Sequence, residues 1–590
     1  MDNMRWSLDT LYTSFDSEEF REDLKRCDEY IKNIKEWVKN NLSTKDDPVE
    51  KIEEFIKIQN EFYSLFSKLS AYTELTLSVE AKNEKALRTS DILYGKIPEL
   101  TEPTSTFKKW VGSLEDIDNI IEASELLKEH RFYLKEIVRR SKYLLSDKEE
   151  VIIAKMKNTG SNAWSKLQNL LSSTLLVDIT IDGEEKHLPL PVVRNMAYDK
   201  NPEVRKSAYY AELKAYEKIE ESSAACLNGI KGEVITISKL RGYNSVLEKT
   251  LMDSRMDKET LDAMLSAMRE SLPYFHRYYR KKAEILGHKN GLPFYDLFAP
   301  VGEADMRFTF EEARDFIVNS FKGFSKRLSD YVKNAFDKRW IDAEPREGKR
   351  GGAFCYNLHP IKESRILSNF TGSFNDVSTL AHELGHGYHG ACLVNESFLN
   401  SDYPMPLAET ASIFNETIIK NAALKEAGKE EALTILESDI SSSGQVIVDI
   451  YSRFLFESEL FRRREEGALS VNELKEMMLN AQKEAYGDGL DHNYLHPYMW
   501  INKPHYYYAE ANFYNFPYAF GLLFAKGLYA EYLKRGEEFV ESYDNLLAAT
   551  GKNSIADVAA MMNIDVHSID FWRSSLKVIE EDIEKFISLT

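Results

Sequence analysis

The sequence predicts a mainly α-helical protein with small β elements, and three observations carry that expectation. Apolar side chains recur in alternating steps of four and three along most of the chain, the spacing that gathers them on one face of a helix. Strand-like alternation is confined to two short stretches. The 590 residues exceed what one compact core usually takes, so at least two domains are expected.

The first helix is read from Phe20, Leu24, Cys27, Ile31, Ile34 and Val38, which share one face, with Asp16 and Glu19 as a capping box. Similar amphipathic stretches cover 48–95, 114–145 and 147–175. At 177–190 the pattern changes: Val177, Ile179 and Ile181 alternate with polar residues, Asp182-Gly183 offers a hairpin turn, and Leu188 and Leu190 follow. Helix resumes at Asn201-Pro202-Glu203, read as N-cap, N1 and N2. A boundary is expected near 195, dividing an N-terminal helical domain, 1–195, from a second domain, 196–590. A second β region is expected at 353–358 and 365–370, bracketed by Gly351-Gly352 and Thr371-Gly372. A loop at 487–504 interrupts the C-terminal helices.

Composition narrows the function. With 43% hydrophobic and 29% charged residues the chain is globular. A formal net charge of −20 argues against nucleic-acid or anionic-membrane partners and for solubility. The N-terminus lacks the basic start and apolar core of a secretory signal, and the most apolar stretch, 516–528, is too short to cross a bilayer. Four scattered cysteines, Cys27, Cys226, Cys355 and Cys392, form no CxxC pair and suit a reducing compartment, so a cytoplasmic protein is expected.

The sharpest signal is His382-Glu383-Leu384-Gly385-His386. On a helix, residues four apart lie about 40° apart around the axis and one turn along it, so both imidazoles can reach one ion. Glu383 sits beside them, close enough to hold a metal-bound water, which is the mechanical content of HExxH. A chance match is expected in roughly 2% of chains with this composition, and seven of the 12 histidines fall between His359 and His505. Asn375 or Asp376 can cap the helix.

A catalytic zinc wants three protein ligands plus water. The longer HExxHxxGxxH pattern fails, because His389 and Cys392 stand at its last two positions. Downstream, Glu409 and Glu416 lie seven apart on one helical face in an apolar, small-residue stretch, and such an acidic pair calls for a cation. Glu409 is taken as the third ligand. Glu416 either orients a ligating imidazole or is an ordinary exposed glutamate. His389 either lines the site or is structural, and His130, His187, His276, His288 and His567 stand alone.

HELGHGYHG at 382–390 followed by AETASIFNE at 408–416 resembles the oligoendopeptidase F branch of the thimet oligopeptidase family of zinc metallopeptidases. So do WSLDTLY at 6–12, NPEVRKSAY at 201–209, RGYNS at 241–245, GGAFC at 351–355 and KPHYY at 503–507, so the likeness spans essentially the whole chain. The resemblance implies a two-lobed helical molecule with a deep channel, one zinc ion per chain at its floor, and unfolded oligopeptides as substrates. It implies that Ser364–Phe370 is the strand along which peptide backbone is laid. It also implies that a His and tyrosines near the C-terminus stabilise the oxyanion. These map to His505, Tyr518 and Tyr514, although Pro517 and extra residues near 509–511 depart from the usual pattern.

The expected reaction is metal-assisted hydrolysis of an internal peptide bond, with Glu383 as general base. An aminopeptidase or dipeptidyl carboxypeptidase on the same zinc site is one alternative. A peptide-binding protein with a structural zinc closed by Cys392 is another. His2Glu ligation favours zinc, with manganese or cobalt as substitutes. Monomer and homo-oligomer are both compatible with the sequence.

Overall fold

The long periodic segments fold as helices, and all but the first are interrupted by short breaks. A computed structural model describes residues 4–181, 183–302, 304 and 306–590. The expected 48–95 segment becomes helices Pro48–Val79 and Glu84–Lys96, and 147–175 becomes Asp147–Thr159 and Ser161–Thr174. The second break lies at Gly160, where the Glu233 carboxylate accepts from both the backbone N–H and the hydroxyl of Ser161, at 2.7 and 2.6 Å. The first helix is Glu18–Asn41, capped by Ser17, whose hydroxyl accepts from the Phe20 N–H. Asp16 is not its cap; that carboxylate pairs instead with Lys85.

The chain forms two units, each assembled from three separate segments. The first comprises Met1–Leu144, Asp305–Lys425 and Glu531–Ile564. Its core takes Phe20, Cys27, Ile31, Ile34 and Val38 from the first helix and Phe55, Phe62, Leu69 and Leu75 from the second. The same core includes Leu358 and Leu367. Those two leucines belong to a three-stranded sheet built from β3 (Ile341–Asp342), β4 (Phe354–Leu358) and β5 (Glu363–Leu367), in the order β3-β5-β4. β4 and β5 are antiparallel, with Cys355 opposite Ile366 and Asn357 opposite Ser364.

This order corrects one expectation. The strand expected to receive a peptide is β5, which is the central strand, hydrogen-bonded to β3 on one side and β4 on the other. β4 is an edge, and all of its residues but Leu358 are partly exposed.

The second unit comprises Leu145–Ala304, Glu426–Ala530 and Asp565–Thr590. Position 195, where the sequence suggested a boundary, falls inside it. The hairpin of β1 (Leu176–Ile181) and β2 (Glu184–Pro189) is present with Val177 opposite Leu188. Gly183 takes φ +80°, as the turn requires, and Asp182 lies outside the described residues. Asn201 caps the helix Pro202–Tyr216 by accepting from the Glu203 N–H. Helices Lys258–Ile285 and Ile569–Leu589 pack along each other. Helix Lys429–Gly444 runs through a π-helical turn, Gln445–Asp449, into helix Ile450–Arg464. Among the described residues, no helix is long and apolar enough to cross a membrane.

Candidate metal centre

The metal motif lies on helix Phe374–Leu393. Its cap is Ser373 rather than Asn375 or Asp376: the Ser373 hydroxyl accepts from the Asp376 N–H, and Asp376 returns the bond to the Ser373 N–H at 3.0 Å. Val377, Leu380, Ala381 and Leu384 are buried and fix which face the helix turns inward. His382 and His386, one turn apart, emerge together on a half-buried face.

Glu409 occupies the residue before helix Thr410–Glu426, and its carbonyl accepts the first helical bond from the Ile413 N–H. That helix crosses the motif helix closely enough to require glycine. A Cβ on Gly385 would stand 2.5 Å from Ser412 Cα and 2.6 Å from the Ala411 carbonyl oxygen, both backbone atoms that cannot swing aside. Asn415 Nδ2 donates to the Ala381 carbonyl at 3.3 Å and fastens the same crossing.

The crossing brings three donor atoms together. His382 Nε2 and His386 Nε2 are 3.1 Å apart, and Glu409 Oε2 lies 3.3 and 3.4 Å from them. A tetrahedral ion with bonds of about 2.0–2.1 Å needs neighbouring donors about 3.3–3.4 Å apart, so the trio fits zinc. Among the described residues these three form the one cluster of this kind.

The surroundings aim each donor. The Glu416 carboxylate can only accept, so His382 carries its proton on Nδ1 and turns Nε2 towards the cluster. The His386 ring is held by a hydrogen bond to the Ala408 carbonyl. The Ser412 hydroxyl donates to Glu409 Oε2 at 2.8 Å. Burial would make His382 less basic, but its hydrogen bonds to Glu409 and Glu416 prevail and raise it to about 10 in the metal-free protein. Burial and the neighbouring His382 push His386 down to about 4. The pair therefore shares one proton where a cation would sit. Glu409 resists burial through His382 and His386 and is held down at about 2.

Glu383 is 6% exposed, and burial pushes its carboxyl up to about 7. Cys355 of β4 lies within its electrostatic reach, and Asn357 Nδ2 donates to the His386 carbonyl at 3.1 Å, so the edge strand is pinned beside the motif helix.

His389 is structural: fully buried, it bonds Thr550 Oγ1 at 2.8 Å and stacks on Tyr403. Cys392 is buried, kept protonated by a shift to about 12, and outside the cluster. His505, Tyr514 and Tyr518 belong to the second unit and gather there. The His505 and Tyr514 rings stack at 4.6 Å, Tyr514 and Tyr518 meet edge to face at 5.9 Å, and all three are half-buried. Burial, then Arg453 and Lys503, lower His505 below its usual value. Ser412 and the Ala408 carbonyl are supports that the sequence reading missed; their positions, three after and one before Glu409, were the available signal.

A family model described as Peptidase family M3 matches residues 195–578, and one described as Oligopeptidase F matches 113–175. The chain belongs to peptidase family M3. Within it the chain falls in the oligoendopeptidase F branch, as a zinc metalloendopeptidase. It is 25% identical to oligopeptidase PepF of Bacillus subtilis (strain 168), over 99% of this chain and 87% of that one. To the chromosomal oligoendopeptidase F of Lactococcus lactis subsp. cremoris it is 29% identical, over 69% and 67%. Its fold matches the crystal structure of oligoendopeptidase-F from Enterococcus faecium with a TM-score of 0.70 at 19% identity, covering 96% and 99% of the two chains.

Proposed function

We propose that the chain hydrolyses internal bonds of short, unfolded oligopeptides, with one zinc ion held by His382, His386 and Glu409 and with Glu383 as general base. The observation that carries this reading is the set of donor separations, 3.1, 3.3 and 3.4 Å, which match the edges of a tetrahedral site. When bound, zinc supplies Lewis acidity to the attacking water and the scissile carbonyl. Glu383 takes the water's proton on its carboxylate and returns it to the leaving amine. Its position in a buried, proton-favouring pocket suits it to both transfers.

His505 and Tyr518 donate hydrogen bonds to the developing oxyanion, with Tyr514 as a further donor. Their clustering within one unit and the family resemblance support these roles. The peptide pairs along the free edge of β4, the strand fastened to the motif helix by Asn357. The family resemblance supports a preference for unfolded chains, and the protein works in the cytoplasm, where its four free cysteines stay reduced.

The test is mass spectrometry of a ten-residue peptide digested once with free ends and once with both ends blocked. Internal cleavage is expected. Products released only from a free amino end would mark an aminopeptidase, and dipeptides released only from a free carboxyl end a dipeptidyl carboxypeptidase.

A further inference from the structure

The second unit holds a cavity of about 70 Å³ whose charged wall does not cancel. Among its lining residues are Arg194, Arg205, Glu212, Asp449, His496 and Lys503. Most of these charges are matched. Arg194 Nε lies 3.4 Å from Glu212 Oε1, Arg205 Nε bonds Asp296 at 2.7 Å, and Asp449 pairs with Arg453. Glu212 also accepts from the Tyr216 hydroxyl at 2.7 Å. Lys503 is left over: among the described residues its ammonium has no hydrogen bond and no contact ion pair. An uncompensated charge facing a partly buried cavity is costly unless a counter-charge joins it.

A second group points the same way. His496 is 2% exposed, its Nδ1 has no partner, and its Nε2 reaches only to 3.5 Å from Glu212. Asn502 Oδ1 is likewise buried without a donor. Gln445 and Asp449, the two ends of the π-helical turn, also line the space. Such turns depart from the α-helical ladder and recur at functional sites.

We propose that this cavity binds one small monovalent anion, a halide or a single carboxylate group, on Lys503 with His496 beside it. One negative charge balances the single unmatched lysine, whereas a divalent anion would overcharge a wall that already holds Glu212 and Asp449. The volume admits a small ion and a water or two. A water donating to Asn502 Oδ1 would complete the shell.

The experiment is thermal unfolding of the full-length protein at constant ionic strength, replacing sodium isethionate by sodium chloride or sodium acetate. Constant ionic strength holds screening fixed, so only binding moves the midpoint. A saturable rise on the order of 2 °C is expected, retained by Lys503→Arg and lost in Lys503→Met. A rise with chloride alone identifies a halide site, and one with acetate alone a carboxylate site. No ion-specific rise in the wild type, or an equal rise in Lys503→Met, overturns the proposal. Should Lys503→Met not fold, Lys503→Gln is put through the same titration with the same criteria. The readout is independent of peptidase activity.

Discussion

Glu416 accepts the Nδ1 proton of His382, which leaves Nε2 of that ring facing Glu409 Oε2 at 3.3 Å. One carboxylate thereby fixes the tautomer of a donor without itself belonging to the donor trio. Removing it as Glu416→Ala frees the ring to rotate and to move its proton. A loss of about 10–100-fold in zinc affinity is expected, with unchanged helical content, measured by competition against a chromophoric chelator. Wild-type affinity in the variant would show that Glu416 is a bystander.

Glu383→Gln keeps the shape of the side chain but cannot take a proton. Full zinc loading and a fall in kcat of at least about 100-fold are expected, read from metal analysis and peptide cleavage on the same sample. Retained activity would remove Glu383 from the mechanism.

Gly385→Ala tests the helix crossing. The added methyl meets backbone of Ala411 and Ser412 at 2.5–2.6 Å, so the helix carrying Glu416 must shift with Glu409. A destabilisation of about 1–3 kcal/mol is expected, together with weakened zinc binding. Urea unfolding and chelator competition measure the two effects separately.

Zinc binding should also depend on pH with a definite sign. In the metal-free protein His382 is raised to about 10, so between pH 6 and 9 it holds a proton on Nε2 that the ion must displace. His386, lowered to about 4, has none to lose in that range. Affinity should therefore strengthen about tenfold for each unit of rising pH, followed by chelator competition at pH 6, 7 and 8. A flat profile would mean that His382 is already neutral.

Much of the site was legible because it is local. Two imidazoles four residues apart and two glutamates seven apart carry their geometry in their spacing, and the closing contact needs only that the two helices cross at Gly385. The β hairpin was legible for the same reason. What stayed hidden depends on partners far along the chain. Ser17 takes the cap in place of Asp16, whose carboxylate pairs with Lys85 instead. Glu233 ends a helix at Gly160. β5 becomes a central strand through a two-residue pairing with Ile341 and Asp342 that no alternation pattern announces. The unmatched charge of Lys503 follows from ion pairs spread over 194–453, which spacing cannot disclose.

X-ray absorption at the zinc edge of the loaded enzyme tests the metal centre most directly. Two imidazole nitrogens and light oxygen donors at about 2.0–2.1 Å, with no sulfur, are expected from His382, His386, Glu409 and solvent. A sulfur shell near about 2.3 Å, or an unchanged spectrum in Glu409→Ala, would contradict the account.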